Sequence, residues 1–401
     1  MSTVDRARTV HVSARTSFIA VYAAANLAVG VGLALAQPSR ADDVWIVYDW
    51  CRAWLLHGQE LYAGAEARTD YPPNAIVLFA PLALAPRQWV VPAWTAVTLV
   101  LTPLYAYAVV KSTSPRIRGA AAAGPMLLFF CWGGARTLLE FSRLSLTLGF
   151  LAVLSADSRP VASGVSLGLA LAKPHIAGPI MLWALVTRRT RVAAVAVLVV
   201  ATGFAAYCLR AHASPVTVLN DYGRILLSLY SGTDDFVGRT SLRPWWRALA
   251  GGSALGDVLW GVGSGLLLLV PCAIAMRPTA RPDLRASVVL ALFCLWSLLA
   301  IYHIGNNLVV LMLPSFVFLL LTDDPATQRS RLCAIAALQA AMMLDVPVHL
   351  AAWVPDHGPV FLLVRDFDRV VVLFTFMYVT FLWHAPRRRN PGMTTPRASH
   401  R

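Results

Sequence analysis

Long apolar runs separated by short polar joints make up most of the chain. A bilayer hydrocarbon core about 30 Å thick takes roughly 20 apolar residues per helix. By that measure the first span is 17–36. Later spans fall at 88–110, 119–135, 140–157, 160–173, 175–188, 192–210, 253–276, 285–302, 306–322, 331–351 and 369–385. The pattern predicts an all-α polytopic membrane protein of about twelve transmembrane helices, with residues 1–401 forming a single integral membrane domain. The run 17–36 is too long for the apolar region of a signal peptide and lacks a cleavage site, so it is expected to stay as a membrane helix. The segments 160–173 and 175–188 are short and meet at Lys173-Pro174. Proline interrupts helix hydrogen bonding, which predicts a broken or re-entrant pair there.

Three joints are long: 37–87, 211–252 and 352–368. In the first, VWIVYDWCRAWLL puts Val44, Val47, Trp54 and Leu55 near one helical face, with Tyr48, Asp49 and Arg52 elsewhere. That suits a juxtamembrane helix with aromatics at headgroup depth. The following NAIVLFAPLALAP is too short to span and ends at proline, which predicts a second juxtamembrane helix. The joint 211–252 contains VTVLNDYGRILLSLYSG, whose apolar residues recur at helical spacing and predict a surface-lying helix. Residues 386–401 form a polar, basic tail.

Composition agrees with the pattern. The chain is 58% hydrophobic and 13% charged, against about 25% charged in soluble domains. The net charge of +14 would suit nucleic acid, but its distribution points elsewhere. Basic joints hold Lys111, Arg116 and Arg118, then Arg188, Arg189 and Arg191, then Arg277, Arg281 and Arg285, then Arg329 and Arg331, and the tail adds Arg387, Arg388 and Arg389. They alternate with the acid-rich joints 37–87, 211–252 and 352–368. The positive-inside rule then puts the basic set and both termini in the cytoplasm, and the long acidic joints outside. No nucleic-acid partner is expected. The six cysteines are scattered singly, as packing residues are. No metal or cofactor motif stands out.

The first joint also carries the chemistry. It collects Asp42, Asp43, Asp49, Glu60, Glu66 and Asp70 among Trp45, Tyr48, Trp50, Trp54, Tyr62 and Tyr71. Carboxylates at a membrane edge are costly and usually functional. They can bind cations, relay protons or act as a general base. The plainer reading pairs them with Arg40, Arg52 and Arg68 in a solvated loop. The aromatics still need a reason, and rings beside carboxylates are what a sugar site uses. Lys173 lies in an apolar stretch, where a lone ammonium either serves a buried anion or snorkels to the interface.

The order acid, Tyr, helix, Gly-x-x-x-Tyr, Tyr-Pro-Pro and short apolar helix is carried by Asp43, Tyr48, Gly58, Tyr62, Tyr71, Pro72 and Pro73. It resembles glycosyltransferase family 87, and LALAKPHIAGPIMLWALVTRR adds a second match. ARTLLEFSRLSLTLGFLAVL and NNLVVLMLP add weaker ones, and together the likeness runs over roughly 20–320. The resemblance implies a GT-C-like fold with catalytic juxtamembrane helices in 37–87. It implies inverting transfer of a hexose, mannose in the first instance and arabinose as the alternative, from a polyprenyl-phosphate sugar. The acceptor is a lipid-linked or envelope glycan at the outer face of a bacterial inner (plasma) membrane. On this resemblance Asp43 is the general base and Asp49 the second choice. Lys173, His175, Arg143 and Arg136 receive the leaving phosphate. Tyr48, Tyr62, Tyr71, His303, Asn306 and Asn307 contact substrate.

The chain also departs from the family pattern. Asp43 lies five residues before Tyr48 rather than four, which leaves Asp42 and Asp49 open as bases. Asn306-Asn307 stand where the family often has a His pair, and Phe-Ser-Arg-Leu-Ser surrounds Arg143 where Gly-Gln is common. Two other classes share the architecture. A secondary transporter can have twelve spans, but usually shows internal repeats and short outer loops, which this chain does not. A non-catalytic lipid-binding membrane protein would account for the missing His pair.

Overall fold

The computed structural model describes residues 42–63, 69–113, 142–231, 241–278, 282–301 and 359–384. Their regular structure is entirely helical, with no strand among them. The first joint forms α1 (Asp42–His57), α2 (Pro73–Phe79) and a 3₁₀ turn (Ala80–Leu84). Then come α3 (Arg87–Thr113), α4 (Ser142–Ser155), α5 (Pro160–Ala170), α6 (Pro174–Val186) and α7 (Thr190–Ala211). The remainder is α8 (Pro215–Ser231), α9 (Arg243–Leu249), α10 (Ala254–Met276), α11 (Pro282–Ala300) and α12 (Pro359–His384).

Proline explains many of these starts. It opens α2, α5, α6, α8, α11 and α12. The first helical N–H has no intrahelical partner, so proline loses nothing there, and its fixed φ suits the helix. The break expected at Lys173-Pro174 is present: α5 stops at Ala170 and α6 starts at Pro174.

Two described helices, α7 and α10, are long and apolar enough to cross a membrane. The expected spans 140–157, 160–173 and 175–188 correspond to α4, α5 and α6, of 14, 11 and 13 residues. The expected spans 17–36, 119–135, 306–322 and 331–351, and the tail, lie outside the described residues. The joint assigned to 352–368 needs correction, because α12 is helical from Pro359. Asp366 pairs with the fully buried Arg369 one turn on. Such an i,i+3 pair lets a helix run through charges that break the apolar pattern.

Helix contacts are tight where residues are small. Gly164 and Gly168 lie one turn apart on α5, against α7. A Cβ on Gly164 would come within 2.5 Å of Val195 Cβ, and one on Gly168 within 2.6 Å of Val199 Cβ. This close approach maximises dispersion contact between two apolar helices. On α10, Gly256 and Gly263 make room for Arg247 and Trp246 of α9, and Arg243 donates to Asp257 at 2.7 Å.

The buried apolar residues form two clusters stacked along α3 and α7. One gathers Tyr105, Leu146, Phe150, Ile176, Val192, Phe293 and Phe376, from α3, α4, α6, α7, α11 and α12. The other gathers Val44, Val47, Tyr48, Trp54, Tyr62 and Tyr71 with Trp94 of α3 and Tyr207 of α7. Ala172 belongs to the second cluster and Ile176 to the first, so Lys173 lies on the seam between them.

Candidate functional site

α1 buries Val44, Val47, Tyr48, Cys51 and Trp54. Their spacing of three and four residues makes one helical stripe. Tyr48 therefore belongs to the buried face, not elsewhere as the sequence suggested: it stands one turn after Val44. Its hydroxyl donates to the Ala85 carbonyl at 3.1 Å and accepts from Arg52 Nη1 at 3.2 Å. Burial pushes the Cys51 thiol up to about 12, so it remains an unreactive packing group at neutral pH.

The helix ends at Gly58, whose φ of 67° favours glycine. Arg210 from the far end of α7 reaches this corner. It donates to the Leu55 carbonyl from Nε at 3.0 Å and from Nη2 at 2.8 Å. A cation at the C-terminal carbonyls also suits the helix dipole. A Cβ on residue 58 would lie 2.5 Å from Arg210 Nη1 and 3.3 Å from its carbonyl oxygen. Gly58→Ala is therefore expected to destabilise the protein by about 1–3 kcal/mol through the left-handed backbone and the displaced guanidinium. A lower thermal midpoint in detergent would register it, and an unchanged midpoint would deny the corner its role.

Beyond Gly58 the chain is strapped to α7. Leu61 N–H donates to Tyr207 Oη at 2.8 Å, and Tyr207 Oη donates to Glu60 Oε1 at 3.3 Å. Tyr62 N–H donates to the same carboxylate oxygen at 3.0 Å. Trp54 donates to the Tyr207 carbonyl at 3.2 Å, and the two rings stack with centroids 5.7 Å apart. Tyr62 Oη donates to the Tyr71 carbonyl at 2.7 Å, closing the strap onto the Tyr-Pro-Pro corner. Burial, followed by the neighbouring Tyr207 and Tyr222 and the carboxylates Glu60 and Asp70, holds the Tyr62 phenol well above its ordinary range. It therefore stays a protonated donor.

Lys173 completes the site. It caps the start of α6, is only 8% exposed, and holds its ammonium 4.9 Å from the centroid of the Tyr71 ring. Tyr71 is itself 8% exposed, with Trp50 and Phe79 packed at 6.0 and 6.3 Å. His175 is half-buried as the second residue of α6, and its carbonyl accepts from Ser297 Oγ of α11 at 2.9 Å. The fold thus brings the first joint, the start of α6 and the end of α11 together.

The carboxylates divide. Asp49 faces away from the buried stripe. It accepts from Arg87 at 3.2 Å, the two side chains being 55% and 62% exposed, and Arg87 also lies over the Trp45 ring. Such exposed pairs contribute about 0–1 kcal/mol. Asp42 and Asp43 begin α1, and their side chains lie outside the described residues. By helix register, position 43 stands at the edge of the buried stripe and position 42 near Asp49. Arg143 is in the first turn of α4, with its side chain outside the described residues, as are Arg136, His303, Asn306 and Asn307 altogether. Tyr48 and Tyr62 are buried and anchor main-chain carbonyls.

Sequence reasoning passed over Tyr207 and Arg210. Their one signal was a tyrosine and an arginine closing an apolar span. Both sit in the last turn of α7, and the two ends of that helix meet different joints. At its start, Arg189 forks onto Asp157 at 3.1 and 3.0 Å within the basic joint 188–191. At its end sits the first joint. Twenty-two residues separate them by about 33 Å at roughly 1.5 Å per residue, close to a hydrocarbon core.

The model of glycosyltransferase family 87 matches residues 69–301. That is more than half of the chain, which therefore belongs to this family of glycosyltransferases. No curated protein and no solved structure matches. The matched stretch takes in Tyr71, Lys173 and His175. Asp43 and Asp49 precede it, and His303, Asn306 and Asn307 follow it.

Proposed function

We propose that this glycosyltransferase moves a hexose, mannose in the first instance, from a polyprenyl-phosphate sugar to a lipid-linked or envelope glycan. The reaction takes place at the outer face of a bacterial inner membrane crossed about twelve times, in a GT-C-like fold. The observation that carries this reading is Lys173, a cation buried at the base of an acid-rich, aromatic joint. An ammonium held in a low-dielectric seam at the start of a helix is suited to a phosphate monoanion or dianion.

The chemistry needs two groups. As the acceptor oxygen bonds to the anomeric carbon, its proton passes to a carboxylate, for which Asp43 is the first choice and Asp49 the second. The bond between the anomeric carbon and the phosphate oxygen breaks from the opposite side, inverting the centre. The lipid phosphate keeps the electron pair, and Lys173 stabilises the added charge, with His175, Arg143 and Arg136 as further donors. His303, Asn306 and Asn307 are assigned to substrate contact.

Purified protein incubated with polyprenyl-phosphate mannose, polyprenyl-phosphate arabinose and envelope glycolipids tests this. Mass spectrometry should find an acceptor that has gained one hexose. Transfer of arabinose alone would replace the donor. Absence of product from every donor by folded protein would leave the non-catalytic lipid-binding reading in possession.

A further inference from the structure

We infer that Tyr71 is a positioning residue: the face of its ring holds the Lys173 ammonium at the seam between the two apolar clusters, aimed for the donor phosphate. The inference rests on the reading of Lys173 as the phosphate cation. Lysine carries a point charge on a flexible stem, so a buried ammonium must be oriented by something. Here the ring centroid lies 4.9 Å away, within the range of a cation–π contact. A ring face attracts the ammonium through its quadrupole and fixes its direction without taking its proton.

The ring is well placed for this because its own position is over-determined. Tyr71 N–H donates to Thr69 Oγ1 at 3.2 Å, and the Tyr71 carbonyl accepts from Tyr62 Oη at 2.7 Å. Two prolines follow it, and proline restricts the residue before it to extended backbone. Trp50 of α1 and Phe79 of α2 flank it at 6.0 and 6.3 Å. Tyr71 thereby ties the helix that carries Asp43 and Asp49 to the cation on α6. This gives the Tyr-Pro-Pro corner a function that does not require its ring to touch the sugar.

The test compares Tyr71→Phe, which keeps the ring face, with Tyr71→Leu, which keeps bulk and removes it. With polyprenyl-phosphate mannose as the varied substrate, Tyr71→Phe should retain the donor KM. Tyr71→Leu should raise it roughly 2- to 30-fold, with the acceptor KM unchanged. In a Lys173→Met background the two variants should become equal. A series of fluorinated phenylalanines in place of Tyr71 should raise the donor KM stepwise as the ring face loses negative potential, and keeps the test alive if Tyr71→Leu does not fold. Equal donor KM for all ring replacements, or an equal rise in acceptor KM, would overturn the assignment. A separate thermal-unfolding cycle of Tyr71→Leu and Lys173→Met reads the contact without activity. If Lys173→Met leaves the donor KM unchanged, the phosphate reading fails on its own account. Additive unfolding effects would mean that the contact itself is not made.

Discussion

Asp43→Asn is expected to cut turnover by about 10²–10⁴-fold, the usual contribution of a general base, while donor and acceptor KM change little. Asparagine is nearly isosteric with aspartate and cannot take the acceptor's proton, so a loss confined to kcat would identify the base. The structure sharpens the comparison with Asp49. Asp49 stands outside the buried stripe of α1 in an exposed pair with Arg87. Asp49→Asn removes a contact of about 0–1 kcal/mol and is expected to leave the fold intact. It should weaken acceptor binding more than turnover. The reverse result, near-normal turnover for Asp43→Asn and none for Asp49→Asn, would transfer the role to Asp49. Activity in both would remove the carboxylate mechanism from this helix.

Lys173→Met is expected to lower kcat/KM for the donor roughly 10- to 100-fold, the loss of a charge-assisted hydrogen bond to phosphate. Methionine keeps most of the length and apolar volume and removes only the charge. The protein should stay folded, because the side chain's apolar volume is kept. Retained stability with lost donor use is a signature that a packing role cannot produce. Unchanged donor dependence would mean that Lys173 snorkels and serves no anion.

Local features of the chain were legible in the sequence because they depend on a few neighbouring residues. Pro174 announced the break before α6, since the missing N–H acts within one turn, and the short apolar run NAIVLFAPLALAP announced α2. The apolar repeat of VTVLNDYGRILLSLYSG announced α8. The order of Asp43, Gly58, Tyr62 and Tyr-Pro-Pro pointed to the family, because motif order is itself a property of sequence.

Tertiary structure decided what those motifs are for. Trp54, Leu61 and Leu55 bond to Tyr207 and Arg210 across 153, 146 and 155 positions. No periodicity within a helix encodes such pairs; they exist because α1 docks on the far end of α7. The same docking put Tyr48 in the buried stripe. The charge pattern also could not say which cation would meet Asp49: Arg52 and Arg68 were nearer in sequence, but Arg87 opens the helix that packs beside it. Lys173 was marked in the sequence as a costly cation. Its partner was not, because the ring over which it lies is 102 positions away on another element and is brought there only when the two apolar clusters meet.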